Sequence, residues 1–291
     1  MKLLKEWQNG NASVKLFGDG TREIEWDGDM ALEWPLNIDI RVSTRCAFGM
    51  NPKGFAICSF CHESAKVDGT ECDYDALYDV LVGLPAGIEL AIGMNHYSSD
   101  LRAFLVKCQA NGWIVNLTVN QGLIKSFEKQ LMEMIEAGLV FGVGVSYRPN
   151  APVIPEWLLG YENTVVHVIE TIDSFDEVFD LAQYGVKKIL VLGEKDFGFN
   201  LGKIDLSDKN RAKWFNRLPL LFSEFDVVSF DNLGLERLKP ERFLSKEKFS
   251  EIYQGEHSFY INAVDKTFSR SSRSHETQPY QSVKEYFSNI G

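Results

Sequence analysis

Alternating hydrophobic and polar residues near the start of the chain predict a β-hairpin. Residues 12–17 alternate, residues 18–21 read Gly-Asp-Gly-Thr and supply a turn, and residues 22–26 alternate again. A period of two gives each strand one apolar face, and a glycine-containing turn joins the two strands. We therefore expect residues 1–35 to form an N-terminal β-hairpin extension.

From residue 36 onward, short apolar segments alternate with longer amphipathic ones. The apolar segments are rich in Val, Ile and Leu and predict β-strands at residues 36–42, 88–92, 113–119, 139–147, 164–169, 188–192 and 227–230. The amphipathic segments predict α-helices at residues 74–84, 98–109, 126–137, 175–184 and 208–225.

This alternation favours an α/β fold in which parallel strands are joined by right-handed crossovers. We predict a partial (β/α)6 TIM-like barrel for residues 36–235, with an open, doubly wound sheet as the alternative. Residues 236–291 are expected to form a C-terminal extension that packs on the barrel. In either fold, the functional site lies at the carboxyl ends of the strands.

The composition is that of a globular protein, and it limits the classes of partner. Of the 291 residues 45% are hydrophobic, which excludes wholesale disorder. The 30 Lys and Arg residues against 41 Asp and Glu give a net charge of −11, so nucleic-acid binding is not indicated. No apolar segment approaches the roughly 18–20 residues of a membrane helix, and the N-terminus lacks the apolar core of a signal peptide. We expect a cytoplasmic protein without a membrane partner.

Three of the five cysteines lie close together in the sequence. Eleven residues separate Cys46 from Cys58, and two separate Cys58 from Cys61. An odd number of cysteines without an export signal argues against a disulfide framework. Because Cys46 follows the first predicted core strand, the group is expected at the carboxyl edge of the sheet. Three thiolates there can bind a [4Fe–4S] cluster and leave one iron open to an outside ligand.

A zinc site is the alternative interpretation of the same cysteines. Cys46, Cys58 and Cys61, completed by His62 or Cys72, would give the four ligands of a structural zinc ion. The chain would then be a non-enzymatic zinc or iron–sulfur binding protein that uses this loop for structure or for binding a partner.

The order of these features resembles the radical S-adenosylmethionine (SAM) superfamily. A strand is followed by a cysteine, then by a Cys-x-aromatic-Cys motif that contains Phe60, and then by strand–helix alternation. The eleven residues between Cys46 and Cys58 depart from the three that are usual in the family, so the resemblance is to an uncharacterised branch with an enlarged cluster loop, Cys-x11-Cys-x2-Cys. The resemblance implies a barrel of the radical SAM type in which Cys46, Cys58 and Cys61 hold a [4Fe–4S] cluster.

The resemblance also implies the chemistry and the partners. The cluster would cleave SAM reductively and generate a 5′-deoxyadenosyl radical that abstracts hydrogen from an unknown substrate. An electron donor such as flavodoxin or ferredoxin would reduce the cluster. The resemblance implies that SAM is bound by residues in the cluster loop and at three strand ends: Phe60, Gly93, Met94, Asn95, Asn120 and Ser146. No residue that acts on the substrate is assigned.

Other polar residues fall near the expected site without a defined role. They are His62, Cys72, His96, His167, Lys195, Asp196 and Asn200, and the serine-rich basic stretch with Arg270, Arg273 and His275. That stretch could bind an anionic group or be a plain surface segment. The apolar residues Phe48, Met50, Phe55 and Ile57 in loop 47–57 predict that this loop folds over the cluster.

Overall fold

The N-terminal residues form a three-stranded antiparallel sheet in this computed structural model, which describes residues 2–204, 209–246, 248–249 and 257–290. Its strands are β1 (Leu3–Asn9), β2 (Ala12–Phe17) and β3 (Arg22–Trp26). The predicted hairpin is confirmed as β2 and β3, which pair from Ala12 opposite Trp26 to Leu16 opposite Arg22. The third strand, β1, pairs with β2 on its other side.

Ten further strands of the described residues build the central sheet. They are β4 (Asn37–Arg41), β6 (Glu89–Gly93), β7 (Ile114–Asn120), β8 (Gly142–Ser146), β9 (Thr164–Ile169), β10 (Lys188–Leu192), β11 (Val227–Phe230), β12 (Ser258–Asn262), β13 (Thr267–Ser269) and β14 (Gln278–Pro279); strand β5 (Arg45–Met50) lies outside this sheet. Their order in space is β11-β10-β9-β8-β7-β6-β4-β12-β13-β14. Neighbours are parallel from β11 to β12 and antiparallel from β12 to β14.

The predicted partial (β/α)6 TIM-like barrel is wrong. The strands form an open sheet whose edges are β11 and β14, and no pairing joins these edges in the described part of the chain. One edge of β4 is taken by β12, from the C-terminal segment expected to pack outside, and β13 and β14 extend the sheet beyond it. Periodicity identifies strands, whereas closure depends on strand tilt and stagger, which a local pattern does not contain. The strand order reverses once, at β4, which has β6 on one side and the later parallel strand β12 on the other.

Nine helices connect or flank these strands in the described residues. They are α1 (Tyr74–Leu81), α2 (Ser99–Ala110), α3 (Glu128–Glu136), α4 (Glu156–Leu159), α5 (Phe175–Asp180), α6 (Lys209–Arg217), α7 (Leu221–Glu224), α8 (Asn232–Leu238) and α9 (Val283–Ile290). None of them is both long enough and apolar enough to cross a bilayer. The helix predicted at 208–225 begins outside the described residues and is divided into α6 and α7 by a 3₁₀ turn that contains Pro219. Proline has no N–H for the helical hydrogen bond.

The two faces of the sheet differ in character. On one face, alternate strand residues such as Ile38, Leu117 and Val168 are fully buried in the core together with Leu101 and Leu131 of the helices. The other residues of the same strands line a cavity of about 1480 Å³. This alternation leaves polar side chains on the cavity face, where they are available to a ligand.

Candidate functional site

The cysteine loop folds back on itself next to the carboxyl end of β4. Backbone N–H groups of Met50 and Cys58 donate to the carbonyls of Ala65 (2.8 Å) and Phe48 (3.0 Å). Gly49 sits so close to the returning chain that a Cβ there would lie 2.4 Å from the Ala65 oxygen. A glycine is therefore needed for the loop to return and bring its cysteines together.

The three thiols of this loop lie near one another. Cys46 and Cys58 are buried, and Cys61 is partly buried. Burial raises the pKa of the Cys46 thiol and the Cys58 and Cys61 thiols raise it further, whereas the backbone N–H groups of Phe48 and Gly49 lower it. The loop thus places three thiols in one neighbourhood, and its N–H groups offset part of the burial that raises the pKa of Cys46.

The type and arrangement of the ligating side chains decide which metal centre this loop can bind. Across the described residues, no group of three or more His, Cys, Asp or Glu side chains is arranged to hold a metal ion. A [4Fe–4S] cluster attaches each thiolate to a different iron, so its ligands surround a volume rather than a single point. The loop supplies the residue type that such a cluster uses, three neighbouring thiols, and backbone N–H groups contact the sulfurs of Cys46 and Cys61. Of the two side chains proposed to complete a zinc site, His62 contacts Lys195 and Glu63.

Asn120, the last residue of β7, contacts the cysteine loop. Its Nδ2 lies 3.9 Å from the Cys58 sulfur, and its Oδ1 accepts a hydrogen bond from the Gly122 N–H (3.0 Å). A Cβ at Gly122 would lie 2.6 Å from the Phe48 ring. The end of β7 and the loop therefore pack closely together.

Phe60 packs against a cation that the sequence did not single out. The Arg148 guanidinium lies 4.6 Å from the centre of the Phe60 ring, and the Arg148 N–H donates to Gln121 Oε1 (3.0 Å). Arg148 follows Ser146, the last residue of β8, which lines the large cavity. The strand end after β8 thus reaches both the cysteine loop and the cavity.

The end of β6 has open space beside Gly93 but presents only some of the residues that were expected to bind SAM. A Cβ at Gly93 would have no heavy atom within 4 Å. The Met94 side chain is fully buried in the core, and its N–H donates to the Thr118 carbonyl (2.7 Å), whereas Asn95 is partly buried. Among the six positions matched to SAM binding, all within the described residues, only Ser146 lines the large cavity.

A hydrogen-bonded network extends from the cysteine motif. Glu63 binds the Arg41 guanidinium (2.9 Å) and His62 Nε2 (3.1 Å), and accepts a hydrogen bond from the Tyr260 hydroxyl (3.1 Å). Burial acts to raise the pKa of Glu63, but His62, Arg41 and Lys195 outweigh it and hold that pKa below its usual range. The carboxylate therefore stays ionised and joins the cysteine loop to β4 and β12.

Lys195 links this network to the C-terminal segment. Its Nζ lies 3.3 Å from His62 Nε2 and donates to Ser272 Oγ (2.9 Å), and all three residues line the cavity. The predicted position of Lys195 at the site is thus observed. Asn200 is buried instead, and its side chain donates to Glu194 Oε1 (2.7 Å).

The floor of the cavity carries His167 and Asp39. Burial lowers the pKa of His167 to about 4, and enclosure raises the pKa of Asp39 to about 6. A Cβ at Gly144 would lie 2.4 Å from the His167 ring and 3.0 Å from Thr118 Oγ1. Gly144 thus makes room for an imidazole that is neutral at physiological pH and faces the cavity.

The predicted burial of loop 47–57 is wrong for half of its large apolar residues. Phe55 is 64% exposed and Ile57 is 61% exposed, whereas Phe48 and Met50 are partly buried. The Asn51 side chain accepts hydrogen bonds from the N–H groups of Lys53 (2.9 Å) and Phe55 (3.2 Å). This Asn turn directs the tip of the loop outward.

Several site residues were not predicted, and their sequence signals differ. Asp39 and Arg41 alternate with the buried Ile38 and Ile40 in β4, a pattern that marks a polar strand face. Tyr260 had no such signal, because its contact with Glu63 spans 197 residues.

Comparison of the chain with family models and with curated proteins found no match at a significant level.

Proposed function

We propose that this chain is a radical SAM enzyme. The observation that supports the proposal is the cysteine loop, in which Cys46, Cys58 and Cys61 lie together beside the carboxyl end of β4. The ends of β7 and β8 reach the same loop through Asn120 and Arg148. Ligands of α/β sheets bind at the carboxyl ends of parallel strands.

The three cysteines would hold a [4Fe–4S] cluster. When bound, the cluster supplies the electron that cleaves SAM and releases a 5′-deoxyadenosyl radical. Backbone N–H groups of the loop would tune the potential of the cluster, since hydrogen bonds to thiolate sulfurs do so. The nearby Asn120 amide would orient Cys58.

The chain's own residues suit the binding of SAM beside this loop. Phe60 offers an aromatic face, Gly93 leaves space at the end of β6, and the Ser146 hydroxyl faces the cavity. The cavity would take the substrate, whose polar groups would meet His167 and Asp39. These assignments place substrate and SAM on the same edge of the sheet.

An electron donor such as flavodoxin or ferredoxin would reduce the enzyme. We propose that the donor and the enzyme are both cytoplasmic. All five cysteines of the chain are free thiols. Free thiols persist in a reducing compartment, whereas disulfides form in oxidising ones.

Anaerobic reconstitution with iron and sulfide tests the proposal. The expected product is a brown protein with broad absorption at about 400 nm that bleaches with dithionite, as for thiolate-bound iron–sulfur centres. Incubation with SAM and dithionite should then yield 5′-deoxyadenosine. A protein that takes up one zinc ion and no iron would overturn the proposal in favour of the non-enzymatic alternative.

A further inference from the structure

A basic cluster lines one part of the cavity. We define it as Lys195, Arg270 and Arg273 with the hydroxyls of Ser271 and Ser272, all of which line the cavity wall. The chain as a whole carries 41 acidic against 30 basic residues. Carboxylates such as Asp19, Glu89 and Asp231 line other parts of the cavity, so the grouping of three cations on this part of the wall marks a local preference for anions there.

Lys195 is held in place by hydrogen-bonding partners. Its Nζ donates to Ser272 Oγ (2.9 Å) and lies 3.3 Å from His62 Nε2. In the part of the chain that the structure describes, no ion pair includes Lys195. The Glu63 carboxylate nearby is already bound by Arg41 and Tyr260. The ammonium group is thus oriented by uncharged partners and keeps its charge available to a ligand.

The cluster is joined to the cysteine loop by two contacts. The first is the Lys195–His62 contact, and His62 directly follows Cys61. The second is the Phe199 N–H, which donates to the Cys61 carbonyl (3.0 Å). A ligand held by the basic cluster would therefore lie beside the loop on which the proposed chemistry depends.

We propose that the basic cluster binds a phosphate or carboxylate group of the substrate. Arginine presents a fork of donors that matches both oxyanions, lysine adds a point charge, and serine hydroxyls donate further hydrogen bonds. Asp39 lines the same cavity and would repel an anion from its own side, so the uncharged part of the substrate faces it. This inference names the substrate class of the proposed function and rests on it.

Calorimetric titration of the full-length protein tests the inference with two probes, inorganic phosphate and acetate. Chloride keeps the ionic strength constant, since surface charges are screened by salt. Lys195→Met and Arg273→Gln remove one cation each from the cluster. Lys125→Met and Arg102→Gln remove matched exposed cations that do not line the cavity.

We expect the wild-type protein to bind at least one probe, and each cluster variant to bind it about tenfold more weakly, as loss of a charge-assisted hydrogen bond predicts. The control variants should keep wild-type affinity. Tighter binding of phosphate or of acetate identifies which oxyanion the substrate carries. The Arg273 side chain is exposed, so Arg273→Gln leaves the fold intact. The inference is overturned if this variant binds the probes with unchanged affinity, or if the wild-type protein binds neither probe. The titration needs neither cluster nor SAM, so its failure is distinct from failure of the proposed chemistry.

Discussion

Gly198 packs against the carbonyl of His62 so closely that a Cβ at Gly198 would lie 2.3 Å from that oxygen. The segment after β10 therefore packs directly against the residue that follows the cysteine motif. Gly198 also has a φ of +58°, which L side chains rarely adopt. Contact and conformation together require glycine at this position.

Gly198→Ala should displace the segment after β10 from the cysteine loop and lower stability. Gly202→Ala is the matched control, because Gly202 has a φ of +70° but no heavy atom within 4 Å of a Cβ. Gly202→Ala should lower the free energy of unfolding by about 1 kcal/mol, because alanine disfavours a left-handed backbone. Gly198→Ala should lower it by at least about 1 kcal/mol more, because its Cβ would overpack against the His62 carbonyl. Urea denaturation measures both. Equal losses would show that the Gly198–His62 contact is not required.

Cys58→Ala should abolish iron retention after anaerobic reconstitution, because it removes one of the three neighbouring thiols. Cys108→Ala is the control, since Cys108 is fully buried on α2 and burial raises its pKa to about 12. Iron and sulfide analysis of both proteins gives the result. Wild-type iron content in Cys58→Ala would refute its role as a ligand.

The sequence predicted elements better than their assembly. Asp73 and Ser98 cap α1 and α2, and such caps depend only on a few adjacent residues. The pairing of β12 with β4 had no local signal, since it joins Ser258–Asn262 to Asn37–Arg41 across most of the chain. The missing strand explains both the wrong barrel and the missed Tyr260–Glu63 contact. The cysteine motif was visible in sequence because its residues are adjacent in the chain.

Arg237→Leu should destabilise the protein strongly. The Arg237 guanidinium lies 2.9 Å from Glu170, whose side chain is fully buried. Its removal leaves a buried carboxylate without its cation, which costs about 3 kcal/mol or more. Lys129→Ala, which breaks the exposed Lys129–Glu133 pair, should cost less than about 1 kcal/mol. Chemical denaturation distinguishes the two, and similar losses would contradict the prediction.

His167 should make stability fall as the solution becomes acidic. Burial lowers its pKa in the folded protein to about 4, below its ordinary value of 6.5. Between these two values the unfolded chain binds a proton that the folded chain does not, so acidification favours unfolding. Stability from this group is complete above the unfolded pKa and decreases as the pH falls towards 4. Asp39, with its pKa raised to about 6, acts in the opposite direction, because its folded form holds the proton more tightly.

The His167→Gln variant separates the two contributions. Between about pH 7 and about pH 5, the wild-type protein should lose about 1–2 kcal/mol relative to the variant. The variant retains Asp39, so any gain from protonating that carboxyl occurs in both proteins and cancels in the difference. Urea denaturation at the two pH values supplies the four free energies of unfolding. Parallel pH dependence in both proteins would mean that His167 has the same pKa in the folded and the unfolded chain, so that the cavity floor gains a charge as the pH falls below that value.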